Sequence, residues 1–363
     1  MPEVFAKDML RASVEAATGG KITVMYDDKG YPCHMVVIPR FNLEDVEASG
    51  MLGTGVHPAF IVNDAEVPEI FIGAYQATVK DGRAVSLPAQ DPATYINYDQ
   101  AGSCCAAKGE GWHLMTVHER SAVMLWCLAN GFQPRGNTSY GKSHEASWER
   151  GKVTYRYRIG ENWHDGRTST GYGPASWRHD GTFQGISDLV GNVWEWIGLM
   201  KIVDGRIYCP DDNSYTLNEE DWPARDAFFD SPRAGDGKST GDLGEPILSD
   251  SITNYAGPRG DNGHYDHNYI SEWKTLKAKE GWIPPLILKQ LSICPFVSGD
   301  ETDSVPVYAA AKGAMWIRNY GERMPVLGGD WLWERNSGLA ALPLTNDRST
   351  LSRSIGFRPV FTG

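Results

Sequence analysis

The sequence has 363 residues, a formal net charge of −12 and 41% hydrophobic residues. The acidic excess argues against nucleic acid as a partner, because that function needs clustered lysine and arginine side chains to neutralise phosphates. The composition also excludes a disordered chain. Forty glycines, 21 prolines and 13 tryptophans predict a turn-rich fold with little long helix, organised by aromatic anchors.

The chain begins with a segment that we predict to be a small N-terminal appendage, residues 1–58, followed by one large domain, residues 59–363. Runs of β-branched and aromatic residues between turn signals predict short strands in both parts. These strands are expected at 21–26, 34–41, 59–62 and 69–76.

Two helices are predicted next. Asp91, followed by a proline, is the predicted N-cap of the first helix, which ends at Gly109. Thr116 and Glu119 have the spacing of a capping box, and they predict the start of the second helix. Further along, the polar and turn-rich stretch 204–263 is predicted to form long insertions on one side of the core.

The N-terminus lacks the basic and apolar regions of a secretion signal, and no apolar stretch approaches the roughly 20 residues of a membrane helix. We therefore expect synthesis in a cytoplasm without a signal peptide, and no membrane insertion. The six cysteines show no C-x-x-C pair, which favours free thiols over the alternative of disulfides.

Three motifs follow one another along the chain: 188–196 (DLVGNVWEW), 328–331 (GGDW) and 354–360 (SIGFRPV). The alternation around Trp194 and Trp196 is typical of a strand with a buried aromatic face. In this order the motifs resemble those of the formylglycine-generating-enzyme branch of the C-type lectin fold. The resemblance implies an α+β fold with a twisted, mostly antiparallel sheet, two flanking helices and long loop insertions.

The enzymes of that superfamily depend on residues that this chain lacks. No cysteine lies between Gly329 and Gly356, and no histidine follows His267. A thiolate nucleophile or a histidine-ligated iron is therefore not expected there, and we expect a protein that is not an enzyme. The alternative is a formylglycine-generating-type oxidase, or a related sulfoxide synthase, with a rearranged active site.

Residues 328–349 resemble the variable region of the target proteins of diversity-generating retroelements. The fixed elements of that family, G-G-x-W, G-L, L-x-L, R-S and I-G-F-R, are all present, and they place the variable region at about 328–358. Between them, Leu342 and Leu344 are expected to face the core while Pro343 and Thr345 face solvent. A proline at this position predicts an edge strand.

The resemblance implies that the remaining positions of the segment bind the ligand. These positions are Asp330, Leu332, Trp333, Glu334, Arg335, Ala340, Ala341, Pro343, Thr345, Asp347, Thr350, Leu351, Arg353 and Ser354. We expect five of them, Leu332, Trp333, Ala341, Thr345 and Arg353, to share one open face. For Trp333, packing in the core beside Trp331 remains the alternative.

The function implied by the resemblance is variable ligand recognition. An element-encoded reverse transcriptase rewrites the ligand-binding positions, and a rigid scaffold tolerates the changes. The expected partner is a protein or a glycan on a target cell surface, bound by a virion-associated phage or virus receptor-binding protein or by a displayed host protein. The sequence leaves the oligomeric state open.

No cofactor is required for this function, and two metal sites are alternatives to simpler interpretations. By the same resemblance, Asp188, Gly191, Val193 and Glu195 would supply oxygen ligands to a structural calcium ion, although hydrogen bonding within the fold is favoured. His264 and His267 have a spacing that zinc can use, but the flanking residues favour a solvated loop. We interpret Glu119, near His113 and His118, as a helix cap rather than a general base.

Overall fold

The computed structural model describes residues 2–231, 245–254, 258–259, 264–265, 268–299 and 304–363. Within these ranges the chain is mixed α/β with few helices. Its strand pairs are mostly antiparallel: 14 are antiparallel and three are parallel. None of the helices in the described ranges has both the length and the apolar character needed to cross a membrane.

The α-helices are α1 (Pro2–Thr18), α2 (Leu43–Val46), α3 (Tyr98–Ala106), α4 (Val117–Ala129) and α5 (Leu286–Gln290). The strands are β1 (Ile22–Tyr26), β2 (Pro32–Pro39), β3 (Ile61–Val62), β4 (Ala65–Glu66), β5 (Glu69–Gly73), β6 (Thr78–Lys80), β7 (Arg83–Val85), β8 (Trp112–Leu114), β9 (Arg156–Ile159), β10 (Asn162–Asp165), β11 (Trp194–Trp196), β12 (Lys201–Val203), β13 (Arg206–Tyr208), β14 (Ala224–Asp230), β15 (Ile247–Ser249), β16 (Pro258–Arg259), β17 (His264–Tyr265), β18 (Asn268–Ile270), β19 (Lys277–Ala278), β20 (Met315–Ile317), β21 (Glu322–Arg323), β22 (Val326–Leu327), β23 (Leu342–Leu344), β24 (Ile355–Gly356) and β25 (Pro359–Phe361).

The main sheet has the order β1-β2-β5-β25-β8, with every neighbouring pair antiparallel. The C-terminal strand β25 therefore lies in the middle of a sheet whose first strands come from the N-terminus. Ile22 and Val36, in the segment predicted as an appendage, are buried in the same hydrophobic cluster as Ile72 and Val360. The boundary predicted at residue 58 thus coincides with no break in the sheet or in the core.

The two predicted flanking helices are α3 and α4. The capping box of α4 is confirmed: the Thr116 side chain accepts from the Glu119 amide, and the Glu119 carboxylate accepts from the Thr116 amide. The predicted start of α3 at Asp91 is wrong, because the N-cap is Asn97. The Asp91 carboxylate instead pairs with the Arg167 guanidinium through two bonds of 2.8 Å, a contact between residues far apart in sequence.

Three further sheets complete the part of the fold that matters for the site. A six-stranded sheet has the order β19-β15-β14-β13-β12-β21. Its strands β13, β14 and β15 come from the stretch predicted as insertions, 204–263, so the described part of that stretch adds strands rather than only loops. The sheets β22-β11-β24 and β18-β20-β23 position the C-terminal motifs.

Candidate ligand-binding groove

The three sequence motifs meet in the sheet β22-β11-β24. Glu195 on β11 is paired with Leu327, directly before the G-G-x-W motif, on one side. On the other side Glu195 is paired with Gly356, in the I-G-F-R motif. Motifs that are more than 130 residues apart in the printed sequence therefore form one structural unit.

Hydrogen bonds of the Arg358 side chain connect this unit to the main sheet. Its guanidinium is fully buried and binds both carboxylate oxygens of Glu195, at 2.9 and 2.6 Å. It also donates to the carbonyls of Gly73 at 2.7 Å and Ser187 at 2.9 Å. A buried bidentate pair with additional carbonyl acceptors satisfies the guanidinium where water cannot reach it.

The G-G-x-W motif requires its glycines because the backbone passes very close to other atoms. Gly328 and Gly329 have φ values of +98° and +107°. A Cβ atom on Gly328 would lie 2.5 Å from the Leu189 carbonyl oxygen, and one on Gly329 would lie 2.2 Å from Ser337 Oγ. Trp331, which ends the motif, is fully buried. These residues form a rigid frame on which the following segment is held.

An open groove of about 460 Å³ lies above this frame. Its lining residues are Trp194, Trp316, Arg318, Val326, Trp333, Pro343, Thr345, Asn346, Thr350, Leu351, Ser352, Ser354 and Ile355. The lining combines indole rings, hydroxyl groups, an amide and a guanidinium. Such a mixture suits non-covalent recognition of a ligand that has both apolar and polar surface.

Six of the fourteen positions predicted to bind the ligand line this groove. They are Trp333, Pro343, Thr345, Thr350, Leu351 and Ser354. Pro343 lies in β23, which is an edge strand, as expected for a proline. Trp333 is 40% exposed and packs edge-on against Trp316, with ring centroids 5.0 Å apart. The indole of Trp333 is thus anchored on one side and accessible on the other.

Four of the predicted positions are buried: Pro343, which lines the groove, and three that lie outside its lining. The expectation that Pro343 faces solvent is therefore wrong. Asp330, Ala340 and Ala341 have exposed fractions of 1%, 3% and 0%, so the prediction that they lie on the surface is wrong. The two alanines are buried because this part of the backbone packs tightly: a Cβ atom on Gly313 would lie 2.2 Å from the Ala341 amide nitrogen.

The other five predicted positions lie outside the groove lining. Glu334, Arg335 and Asp347 are exposed. Leu332 packs against the cluster around Trp331, and the Arg353 guanidinium lies 4.3 Å from the ring centroid of Tyr157. The prediction that five of these residues share one open face is therefore wrong. Trp333 and Thr345 line the groove, Leu332 and Arg353 lie beside the aromatic cluster, and Ala341 is buried.

Several groove residues were not identified from the sequence. Trp316 and Arg318 come from β20 and the residue after it, and Trp316 contacts Trp194 and Tyr269 with ring centroids 6.0 and 5.2 Å away. The only sequence signal was a short apolar run ending in an arginine. Such a run does not show by periodicity which neighbour its side chains meet.

The carboxyl group of Asp330 lies beneath the groove and accepts a hydrogen bond from the Leu332 amide at 2.8 Å. Burial raises the pKa of Asp330 to about 7, against opposing hydrogen bonds that include those from Ser354 and Trp194. The pKa of an aspartate in the unfolded chain is near 3.8. At pH values between these two pKa values, the native state therefore binds one proton more than the unfolded state. This contribution to stability is complete below about pH 4 and is lost as the pH rises towards 7.

Asp330→Asn is expected to gain stability relative to the wild type as the pH rises from about 4 to 7, by about 1.4 kcal/mol per pH unit. The amide keeps the acceptor for the Leu332 N–H and has no charge to desolvate. Urea unfolding of both proteins across this pH range measures the difference. A difference that does not change with pH would show that Asp330 stays ionised.

Two of the oxygen ligands considered for calcium, the Val193 carbonyl and the Glu195 carboxylate, already bind the side chain of Gln76. Its Nε2 donates to the Asp188 carbonyl at 3.1 Å, to the Val193 carbonyl at 3.0 Å and to Glu195 Oε1 at 3.1 Å. The Asp188 carboxylate accepts from the Gly171 amide at 3.0 Å. A calcium ion at Asp188, Gly191, Val193 and Glu195 would have to displace this amide group and share Glu195 with Arg358.

We therefore expect the thermal midpoint Tm to agree within about 1 °C in calcium and in a chelator, because a ligand stabilises only a state that it binds. Differential scanning fluorimetry measures this directly. A saturable rise of Tm with calcium would contradict the expectation, and loss of that rise in Glu195→Gln would locate the ion here.

The histidines do not form a second site in the described residues. Glu119 accepts from His113 Nε2 at 2.7 Å and from Asn213 Nδ2 at 2.9 Å while it caps α4. Burial lowers the pKa of His118 to about 4. His264 lies in β17, and His267 lies outside the described residues. Among the residues that are described, no cluster of three histidine, cysteine or acidic side chains is arranged to hold a metal ion.

No family model and no curated protein sequence matches the chain. The chain does match several solved structures. Treponema denticola variable protein 1 is 11% identical over 94% of this chain and 99% of its own length, with a TM-score of 0.33. Two variants of Major Tropism Determinant, U1 and I1, are 12% and 11% identical over 91% of this chain, each with a TM-score of 0.30. The chain spans 63% and 56% of the lengths of these two proteins.

Proposed function

We propose that the protein is a variable ligand-binding protein of the kind diversified by retroelements, built on a C-type lectin fold of the formylglycine-generating-enzyme type. The observation that carries the proposal is that predicted changeable positions gather at one open groove on a buried frame; one of these positions, Pro343, is itself buried. Six changeable positions between Trp333 and Ser354 line one open groove. The fixed motif residues Trp331, Phe357 and Arg358 are fully buried.

The chemistry of the groove favours binding over catalysis. Tryptophan and arginine contribute most to the energy of protein interfaces, and a groove held on packed strands loses little conformational entropy when it binds. We propose a protein or glycan on a target cell surface as the partner. In this proposal the chain is carried by a virion or displayed on a cell.

The state of the cysteines supports a ligand-binding protein rather than an oxidase. All six are free thiols, and five are buried. Burial raises the pKa of Cys127 to about 12 and of Cys209 to about 11. Since the thiolate is the nucleophile and metal ligand, these environments oppose the chemistry that a formylglycine-generating-type enzyme would require.

The test is a selection experiment with the six groove positions randomised together in the full chain. The library is displayed on phage and selected against immobilised hen egg-white lysozyme, a protein with no relation to the chain. The proposal predicts folded binders whose affinity is lost when the six residues revert to the parent sequence.

The control is an equal library at exposed positions far from the groove, such as Lys29, Glu66 and Asp226. Binders that arise equally often from both libraries, or from neither, would contradict the proposal. A purified parent chain with bound copper and oxidase turnover would overturn it in favour of the enzyme.

A further inference from the structure

Arg120, on α4, is a buried cation with an unused hydrogen-bond donor. Its Nη2 donates to the Leu189 carbonyl at 2.9 Å and, more weakly, to the Leu339 carbonyl at 3.5 Å. Its Nη1 is buried and has no hydrogen-bond partner among the residues that the structure describes. Across the described residues, no carboxylate forms an ion pair with Arg120, whose exposed fraction is 3%.

The surrounding core does not neutralise this charge. Two other guanidinium groups of the core are buried, those of Arg178 and Arg358, with exposed fractions of 4% and 0%. The carboxylate that acts on Arg120 is that of Glu195, and both of its oxygens are already bound by Arg358. Among the described residues Arg120 therefore has no carboxylate partner of its own, and an uncompensated charge is costly in a low-dielectric interior.

A small cavity of about 20 Å³ adjoins Arg120. It is enclosed mainly by apolar side chains, among them Met124 and Leu339, and by the hydroxyl groups of Ser121 and Ser292. Since one water needs roughly 10–15 Å³ measured in this way, the cavity holds one water-sized species. A phosphate, a sulfate or a carboxylate-bearing molecule is too large.

The hydroxyl groups at the cavity use their protons in hydrogen bonds within the protein. The Ser121 hydroxyl donates to the Gln290 carbonyl at 2.6 Å, and the Tyr308 hydroxyl donates to the Lys289 carbonyl. Ser292 Oγ lies 2.8 Å from Ser121 Oγ and 3.1 Å from Tyr308 Oη. Because the protons of both neighbours are already donated to carbonyls, the Ser292 hydroxyl donates to Ser121 Oγ, the nearer of the two oxygens. Among the described residues at the cavity, the free donor is therefore Arg120 Nη1.

We propose that this cavity binds a monatomic anion, chloride, at Arg120 Nη1. A water molecule would satisfy the free donor but would leave the positive charge uncompensated. An anion would both accept a hydrogen bond from the free donor and compensate the positive charge. The site goes beyond ligand recognition in the groove, because Arg120 binds the carbonyls of Leu189 and Leu339 and so connects the frame to the start of the changeable segment.

Anomalous diffraction from crystals of the full chain grown in bromide instead of chloride tests the site directly. We expect an anomalous peak inside the cavity, within hydrogen-bond distance of Arg120 Nη1. Ordinary density without an anomalous signal means a water molecule and overturns the proposal. This result would leave the groove proposal untouched, because no groove residue takes part.

Thermal unfolding gives an independent readout. Replacing sodium gluconate by sodium chloride at constant ionic strength is expected to raise Tm by about 3 °C in a saturable manner, since gluconate is too large for the cavity. Arg120→Met should remove the chloride effect, whereas Arg178→Met, which removes a buried guanidinium outside the cavity lining, should retain it. An identical Tm in both salts for the wild type, or an equal chloride effect in Arg120→Met, would contradict the proposal.

Discussion

Replacing Arg358 by methionine is expected to lower the free energy of unfolding by about 3–5 kcal/mol. The substitution keeps most of the apolar volume but leaves the Glu195 carboxylate buried without its bidentate partner. The carbonyls of Gly73 and Ser187 lose a donor as well. Because Arg358 joins the motif sheet to the main sheet, we expect both sheets to unfold together rather than separately.

Urea denaturation followed by tryptophan fluorescence measures this change. The matched control is Arg156→Met, which breaks an ion pair of 2.7 Å whose arginine side chain is 65% exposed. Its expected effect is within about 0.5 kcal/mol, as for other surface pairs. A loss below about 1 kcal/mol for Arg358→Met would show that the buried pair is not what holds the two sheets together.

Replacing Trp331 or Trp333 by alanine is expected to have different effects: the first should reduce stability and the second should reduce ligand binding. Trp331→Ala should lower the free energy of unfolding by about 3–5 kcal/mol, because the ring is fully buried among Tyr155, Tyr157 and Val193. Trp333→Ala should cost about 1 kcal/mol or less, since the ring is 40% exposed. In a lysozyme-binding member of the groove library that retains Trp333, the second substitution should instead weaken binding by about 30-fold or more.

Unfolding curves and binding isotherms of the two variants separate these effects. For Trp331→Ala, any loss of binding should follow the unfolded fraction. For Trp333→Ala, binding should be lost while the protein stays folded. Equal losses of stability in the two variants would mean that Trp333 belongs to the frame.

The sequence predicted features whose causes are local. The capping box of α4 involves Thr116 and Glu119 alone, and the edge position of Pro343 follows from its missing N–H. The start of α3 was misplaced because Asp91 pairs with Arg167, a partner that no local pattern reveals.

The candidate site could be predicted only in part, because it too depends on contacts between residues that are distant in sequence. Spacing along the chain separates the buried Leu342 from Thr345, but it does not show that Ala341 is enclosed by the close approach of Gly313. The calcium hypothesis likewise depended on oxygens near Glu195, whereas the group that binds them belongs to Gln76, more than 110 residues earlier in the sequence. Trp316 reaches the groove through strand pairing, which sequence periodicity does not specify.

The separation of frame and groove is tested most directly by the folded fraction of two randomised libraries. One library varies Trp333, Pro343, Thr345, Thr350, Leu351 and Ser354, which line the groove. The other varies six buried positions of the same region, Trp331, Leu339, Leu342, Leu344, Ile355 and Phe357. Both are displayed on yeast and challenged with protease. We predict that most members of the groove library resist cleavage like the parent and that few members of the buried library do; similar resistant fractions in the two libraries would contradict the account.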